Sequence, residues 1–145
     1  MFDDLIRMIE QAGDTVNFAP FGEGISEEWI AAAEERLQVK FPASYVWWLK
    51  NYNGGEIAGE EIYSIYGVDF DTVVGGDLVY INELSRKENS FFADKLIIEE
   101  HDDFLFYFDT SSGLSDGEYP VCELHRNEKY ADSFAEFLKK RIIGP

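Results

Sequence analysis

The chain has one cysteine, two histidines and four prolines in 145 residues, and its twelve Lys and Arg stand against twenty-nine Asp and Glu. Each shortage excludes something. A single thiol, Cys122, forms no intramolecular disulfide, which suits a reducing compartment. Its place in the apolar run Tyr119 to Leu124 marks a small core residue, because a catalytic thiolate needs an electropositive setting. With only His101 and His125, and no Gly-Xaa-Ser-Xaa-Gly turn, a nucleophilic triad lacks its local signature. The shortage of cations leaves a formal charge of -17, which repels phosphate backbones and anionic membrane surfaces. Neither nucleic acid nor membrane is expected as a ligand. No segment approaches the ~18 uninterrupted apolar residues of a membrane span. The opening residues, Met1 to Glu10, carry acids where a secretory signal carries positive charge. Repeats, linkers and low-complexity tracts are also missing, so the expectation is one domain over residues 1–145 in the cytoplasm.

What the chain does have is apolar mass, 46% of its residues, and aromatic rings, 16%. That is enough to fill an ordinary core. Phe2, Leu5, Ile6 and Ile9 recur at helical spacing, and the glycines and proline of residues 13–24 end that helix. A second helix is predicted from Ser26, whose hydroxyl caps free backbone N–H groups ahead of Glu27 and Glu28. Its apolar stripe is Trp29, Ile30, Ala33 and Leu37. Pro42 suits the first position of a third helix. There Phe41, Tyr45, Trp48, Leu49 and Tyr52 share a face, which assigns Trp48 to the core and points Trp47 elsewhere. Asn53, Gly54 and Gly55 suit the left-handed backbone that stops a helix.

The rhythm then changes. Residues 60–68 read as a strand, and residues 77–88 as a helix with Leu78, Ile81, Leu84 and Val79 inward. Residues 95–100, 104–109 and 119–125 are the clearest strands, with a long turn joining the last two as a hairpin. Ser133 followed by Glu136 is a capping box opening a final helix whose Lys139, Lys140 and Arg141 complement its dipole. The fold class is therefore α+β, with helices packed on a mainly antiparallel sheet of about five or six strands.

Constellations that could carry catalysis are thin. Asp69, Asp71 and Asp77, and the run Glu99 to Asp103, supply carboxylates but lack the spacing of an EF-hand loop, and are read as solvated turn acids. Cys122 and His125, three apart on a strand, leave opposite faces and make no dyad. No catalytic, cofactor-binding or metal residue is assigned.

With these residues placed, the chain resembles the SUKH superfamily. Ile25 to Gly55 looks like its opening signature, with Pro42, Tyr45, Trp48, Leu49, Asn53, Gly54 and Gly55 at the marked places. Phe104 to Leu124 is similar to the family's strand, aspartate, turn and Pro-Val strand, through Asp109, Pro120 and Val121. Ala131 to Leu138 is similar to its closing helix. Two departures stand out: Gln38 replaces a glycine after Leu37, and Asp102-Asp103 replace the glycine before the central strand.

The resemblance implies a non-enzymatic binding domain without cofactors. In bacteria it implies an immunity protein that neutralises a polymorphic toxin, often a nuclease; the alternative is an intracellular regulatory module related to cell-wall (glucan synthesis) regulators. A strongly acidic protein could occupy the basic surface of a toxin domain with electrostatically steered association. The candidate partner-binding residues are Glu56, Glu60, Glu61, Asp69 and Asp71, with Trp47 as an aromatic anchor. The competing reading is that these acids solvate a loop and Trp47 packs on the N-terminal helix.

Overall fold

The computed structural model describes residues 2–144. Along the chain run α1 (Asp3–Gln11), β1 (Val16–Phe18), α2 (Glu27–Leu37), α3 (Ala43–Asn51), β2 (Gly55–Ile57), β3 (Glu60–Ile62) and α4 (Leu78–Glu88). Then follow β4 (Lys95–His101), β5 (Phe104–Asp109), β6 (Val121–Glu123), β7 (Glu128–Ala131) and α5 (Phe134–Ile143). The α+β expectation holds, with a different strand inventory. Among the described residues seven strands form two antiparallel sheets, β1-β2-β3 and β4-β5-β6-β7. The additional strands, β1, β2 and β7, are three or four residues long, too short for period-two alternation to mark them. The Tyr63 N–H donates to the Ile98 carbonyl at 2.8 Å and joins the facing edges of the two sheets.

The helix starts follow local chemistry. Ser26 Oγ accepts from the Trp29 N–H, Asp77 Oδ1 from the Tyr80 N–H and Ser133 Oγ from the Glu136 N–H, each satisfying a donor the helix cannot. α3 is different. Pro42 stands one position earlier than predicted, as the N-cap, and has no side chain able to cap. The missing acceptors come from the turn before β6, 74 residues away in sequence. The Gly117 carbonyl takes the Ala43 N–H at 2.8 Å, and the Glu118 carboxylate takes the Ser44 N–H at 2.9 Å and its hydroxyl at 2.7 Å.

α2 ends on Gln38 in the left-handed region, φ 56° and ψ 46°, so the glycine geometry is kept without the glycine. The left-handed conformation costs a side-chain-bearing residue roughly 1–2 kcal/mol. Gln38 offsets part of this by donating from Nε2 to the Glu35 carbonyl. Gln38→Gly is expected to stabilise the protein by about 1 kcal/mol, read as a higher thermal midpoint. A lower midpoint would mean that the side-chain bond outweighs the backbone strain.

α4 corrects the sequence reading of its inner face. Leu78 and Val79 are buried and Ile81 half-buried, but Leu84 is exposed and Asn82 is fully buried in its place. Six positions along a helix rotate a side chain about 120° from Leu78, whereas four positions rotate it about 40°. Asn82 is usable there because β4 is the edge of its sheet. Its Oδ1 accepts the Ile97 N–H at 2.7 Å and its Nδ2 donates to the Ile97 carbonyl at 3.0 Å, so the side chain takes the place of a neighbouring strand.

One aromatic core joins helices to sheets. Tyr45, Trp48, Phe108 and Phe134 are fully buried with ring centroids 4.9–6.0 Å apart in successive pairs. β5 supplies four consecutive buried residues, Leu105 to Phe108, as expected of the strand between two neighbours. Trp48 is therefore in the core, as its helical face predicts.

Candidate functional site

β2 and β3 form a hairpin through Ala58 and Gly59, both at positive φ, the two-residue turn whose twist suits an antiparallel pair. The register pairs Gly55 with Ile62, Glu56 with Glu61 and Ile57 with Glu60. Period-two alternation then sends Ile57 and Ile62 into the core and turns Glu56 and Glu61 outward, directly opposite each other. Asn17 of β1 continues the row. Gly55 makes this packing possible: a Cβ there would overlap the backbone of Asn17 and Phe18, and its φ of 130° suits glycine alone. Two like charges facing across a strand pair are destabilising. Among the described residues no ion pair engages Glu56, Glu60 or Glu61.

The loop from Tyr66 to Asp77 borders this row. Its base is Asp77, fully buried, whose second carboxylate oxygen accepts the Tyr66 N–H at 3.0 Å while the first caps α4. Tyr66 donates its hydroxyl proton to Glu61 at 2.5 Å and accepts the Gly76 N–H at 3.0 Å. Partial burial, then the bond to Glu61, push the Tyr66 phenol up to about 12, so it remains a donor at neutral pH. A Cβ at Gly76 would overlap the Glu61 carboxylate and push this flexible side-chain end aside. The same loop leaves Tyr66, Val68 and Val74 exposed, at 43%, 47% and 63%. An open cleft of about 400 Å³ lies between Glu61, Tyr66 and the Asn53–Gly55 turn. A ring, two aliphatic side chains and opposed carboxylates are components suited to a protein interface, in which aromatic anchors supply binding energy and charge supplies rate and specificity.

The six predicted residues do not form one cluster. Glu56 and Glu61 share the outer face just described. Glu60 lies on the core side of β3, and its charge acts on Glu99 and Arg141. Asp69 is spent on its own turn, accepting the Asp71 N–H at 2.9 Å. Asp71 pairs with Arg36 at 2.8 Å, and Arg36 also holds Glu83 at 2.7 Å, so this acid ties the loop to α2 and α4. Trp47 is half-buried, with its ring stacked on Phe2 at 4.5 Å and edge-on to Tyr52 at 5.9 Å. Its neighbours are thus the N-terminal segment and its own helix end. Tyr66, Val68 and Val74 escaped the sequence reading, because an exposed ring in a tyrosine-rich stretch carries no positional mark.

Two acids read as solvated turn residues are buried instead. Asp77 is the cap and loop anchor above. Glu99 sits at an irregularity of β4 and receives two bonds from Arg141, at 3.1 and 2.6 Å, with His101 Nε2 3.4 Å away. The sequence shows only a run of charges there; which of them turns inward depends on the strand register and on α5. Cys122 is half-buried rather than fully buried, on the side of β6 that packs on Tyr107, and burial pushes its thiol pKa up.

Helices packed on antiparallel sheets, a proline-started α3 closed by Asn53-Gly54-Gly55, and a Pro120-Val121 strand entered from a long turn define a SUKH-type α+β domain. The chain matches the model of the SUKH_6 family, described as SMI1-KNR4 cell-wall, over residues 27–138, and it belongs to that family. The match runs from the first turn of α2 into α5, so every element carrying the outer acidic face except β1 lies inside it. Membership places the chain in the general immunity- and regulator-like group of the superfamily.

Proposed function

We propose that this chain is a non-enzymatic, cytoplasmic immunity protein that binds and neutralises a basic toxin domain through the outer face of β2 and β3 and the adjoining Tyr66 loop. The observation that carries the reading is the direct opposition of Glu56 and Glu61 without a cation, beside exposed Tyr66, in a chain of charge -17. A partner that brings Lys or Arg to that pair relieves the repulsion and gains steering from the rest of the acidic surface. A nuclease is the toxin class favoured by this chemistry, because its polyanion-binding surface is basic. The cell-wall wording of the family description favours a second reading, a regulatory module whose partner belongs to wall synthesis.

The test is co-expression with the C-terminal domain of a toxin encoded beside this gene, followed by calorimetry on the purified pair. Protection and a stoichiometric complex are expected. Glu56→Lys with Glu61→Lys is expected to weaken binding by at least roughly a hundredfold, since each lost charged contact is worth about 1.5–3 kcal/mol, while the fold loses only the bond from Tyr66 to Glu61 and still unfolds cooperatively. Association should slow with added salt. No protection and no complex would overturn the immunity reading, and capture of a wall-synthesis protein through the same two glutamates would favour the second.

A further inference from the structure

A second cleft, of about 340 Å³, lies between β5, β6, β7 and α5. Four of the chain's twelve Lys and Arg line it, against two carboxylates, whereas the other eight Lys and Arg stand against twenty-seven Asp and Glu. Its floor is aromatic. Phe104 and Phe106 stack nearly parallel, with centroids 5.7 Å apart and planes 8° from parallel, and Tyr130 leans on Phe106 at 4.8 Å. Each ring carries a cation: the Arg126 guanidinium lies 4.7 Å from the Phe104 centroid, Lys140 Nζ 4.3 Å from Tyr130, and the Arg141 guanidinium 5.8 Å from Phe106.

The cations differ in what neutralises them. Arg141 is spent on Glu99, and Lys129 on Asp132. Lys140 is held by the Tyr130 carbonyl at 2.6 Å and by the ring beneath it, both uncharged. Arg126 stands 3.8 Å from Glu123, but the carboxylate oxygens of Glu123 already accept the N–H groups of Leu105, His125 and Arg126 at 2.7–3.0 Å. Burial alone would raise the pKa of Glu123, and those three backbone donors outweigh it and hold it low. Rings position a cation without cancelling its charge. Lys140 therefore carries the charge open to an incoming anion, whereas Arg126 is shared with the ionised Glu123 and Glu128 at the rim opposes an anion.

We propose that this cleft is a binding site for a compact organic anion with an aromatic body, whose ring packs on the half-buried Phe104 and Tyr130 and whose carboxylate, sulfonate or phosphate meets Lys140, with Arg126 beside it. The volume falls within the range of small-molecule sites, which combine mostly apolar walls with a few placed polar groups. The site is independent of the outer face of β2 and β3, so the two readings stand or fall separately.

Naphthalene-2-sulfonate is a suitable probe and 2-naphthol its uncharged counterpart, each titrated into the full chain and followed by amide NMR shifts. Saturable shifts are expected at Phe104, Phe106 and Tyr130, with the sulfonate binding about tenfold more tightly than the naphthol, the worth of one charge-assisted contact. Lys140→Met and Arg126→Met retain the apolar stem. Lys140→Met is expected to weaken the sulfonate about tenfold and Arg126→Met by less, and both to leave the naphthol unchanged. Both residues are exposed, and if one variant failed to fold the other would decide alone. The proposal is overturned by an absence of saturable shifts, by equal affinity for the two probes, or by unchanged sulfonate affinity in the folded variants.

Discussion

Arg141→Met is expected to destabilise the fold by about 3–5 kcal/mol at neutral pH, the loss typical of leaving one member of a buried ion pair uncompensated. Glu99 is fully buried and the Arg141 side chain only 14% exposed. Burial raises the Glu99 pKa, and the two Arg141 bonds pull it back toward ionisation. Removing the guanidinium leaves burial opposed by His101 alone, with the charge of Glu60 also bearing on the site. The sign with pH follows. A carboxyl whose folded pKa stands above its unfolded one contributes stability below the unfolded value, which is lost as pH rises through the folded value. The deficit of the variant should therefore shrink as pH falls from 7 toward the carboxylate range, because a protonated Glu99 needs no cation. Urea unfolding at several pH values measures this, and Glu99→Gln combined with Arg141→Met should recover much of the loss. A single-variant loss below about 1 kcal/mol, typical of exposed pairs, would show that the pair acts as one.

Trp48→Ala should cost about 3–5 kcal/mol, as is usual for deleting a large buried ring. Its ring packs against Tyr45, Phe18 and Phe134, with centroids 5.4–5.9 Å away, so no single neighbour can collapse into the space. The indole Nε1 is buried without a hydrogen-bond partner among the described residues. An unmet buried donor costs about 1–3 kcal/mol. Trp48→Phe removes that donor along with part of the ring, and is expected to lose less than half of what the alanine variant loses. Thermal and urea unfolding of the two variants side by side give the answer. Losses in proportion to the ring volume each variant removes would mean that volume alone sets the cost and that the orphan N–H is energetically silent.

The helices were legible because their signals are local. Ser26 and Ser133 each lie within three residues of the donor they cap, and the face of α3 repeats within its own nine residues, whereas Asp77, read as a turn acid, also caps α4. Long apolar runs likewise marked β4 and β5. Short elements were not legible: β1, β2 and β7 exist because of their partners, not because of any period of their own. Leu84 and Asn82 exchange places because an exposed strand edge can be satisfied by an amide, and nothing in residues 77–88 announces that edge. The candidate site shows the same division. The chain advertises acids after α3, but the pairing register alone separates Glu56 and Glu61 from Asp71, which is held by Arg36.

By itself, then, the sequence determined the α+β class, the family signature, the caps at Ser26 and Ser133, the burial of Trp48 and the acidic excess, since each depends on neighbours a few residues apart or on composition. Tertiary structure alone decided that Trp47 stacks on Phe2, that Glu99 is a buried partner of Arg141, and that two glutamates face each other across β2 and β3. It also brought Arg126 and Lys140 onto the rings of one cleft. The physical reason is range. A cap or a helical stripe is complete within one element, whereas an ion pair or an opposed charge exists only once residues on different elements, 5 to 42 positions apart, have been brought together.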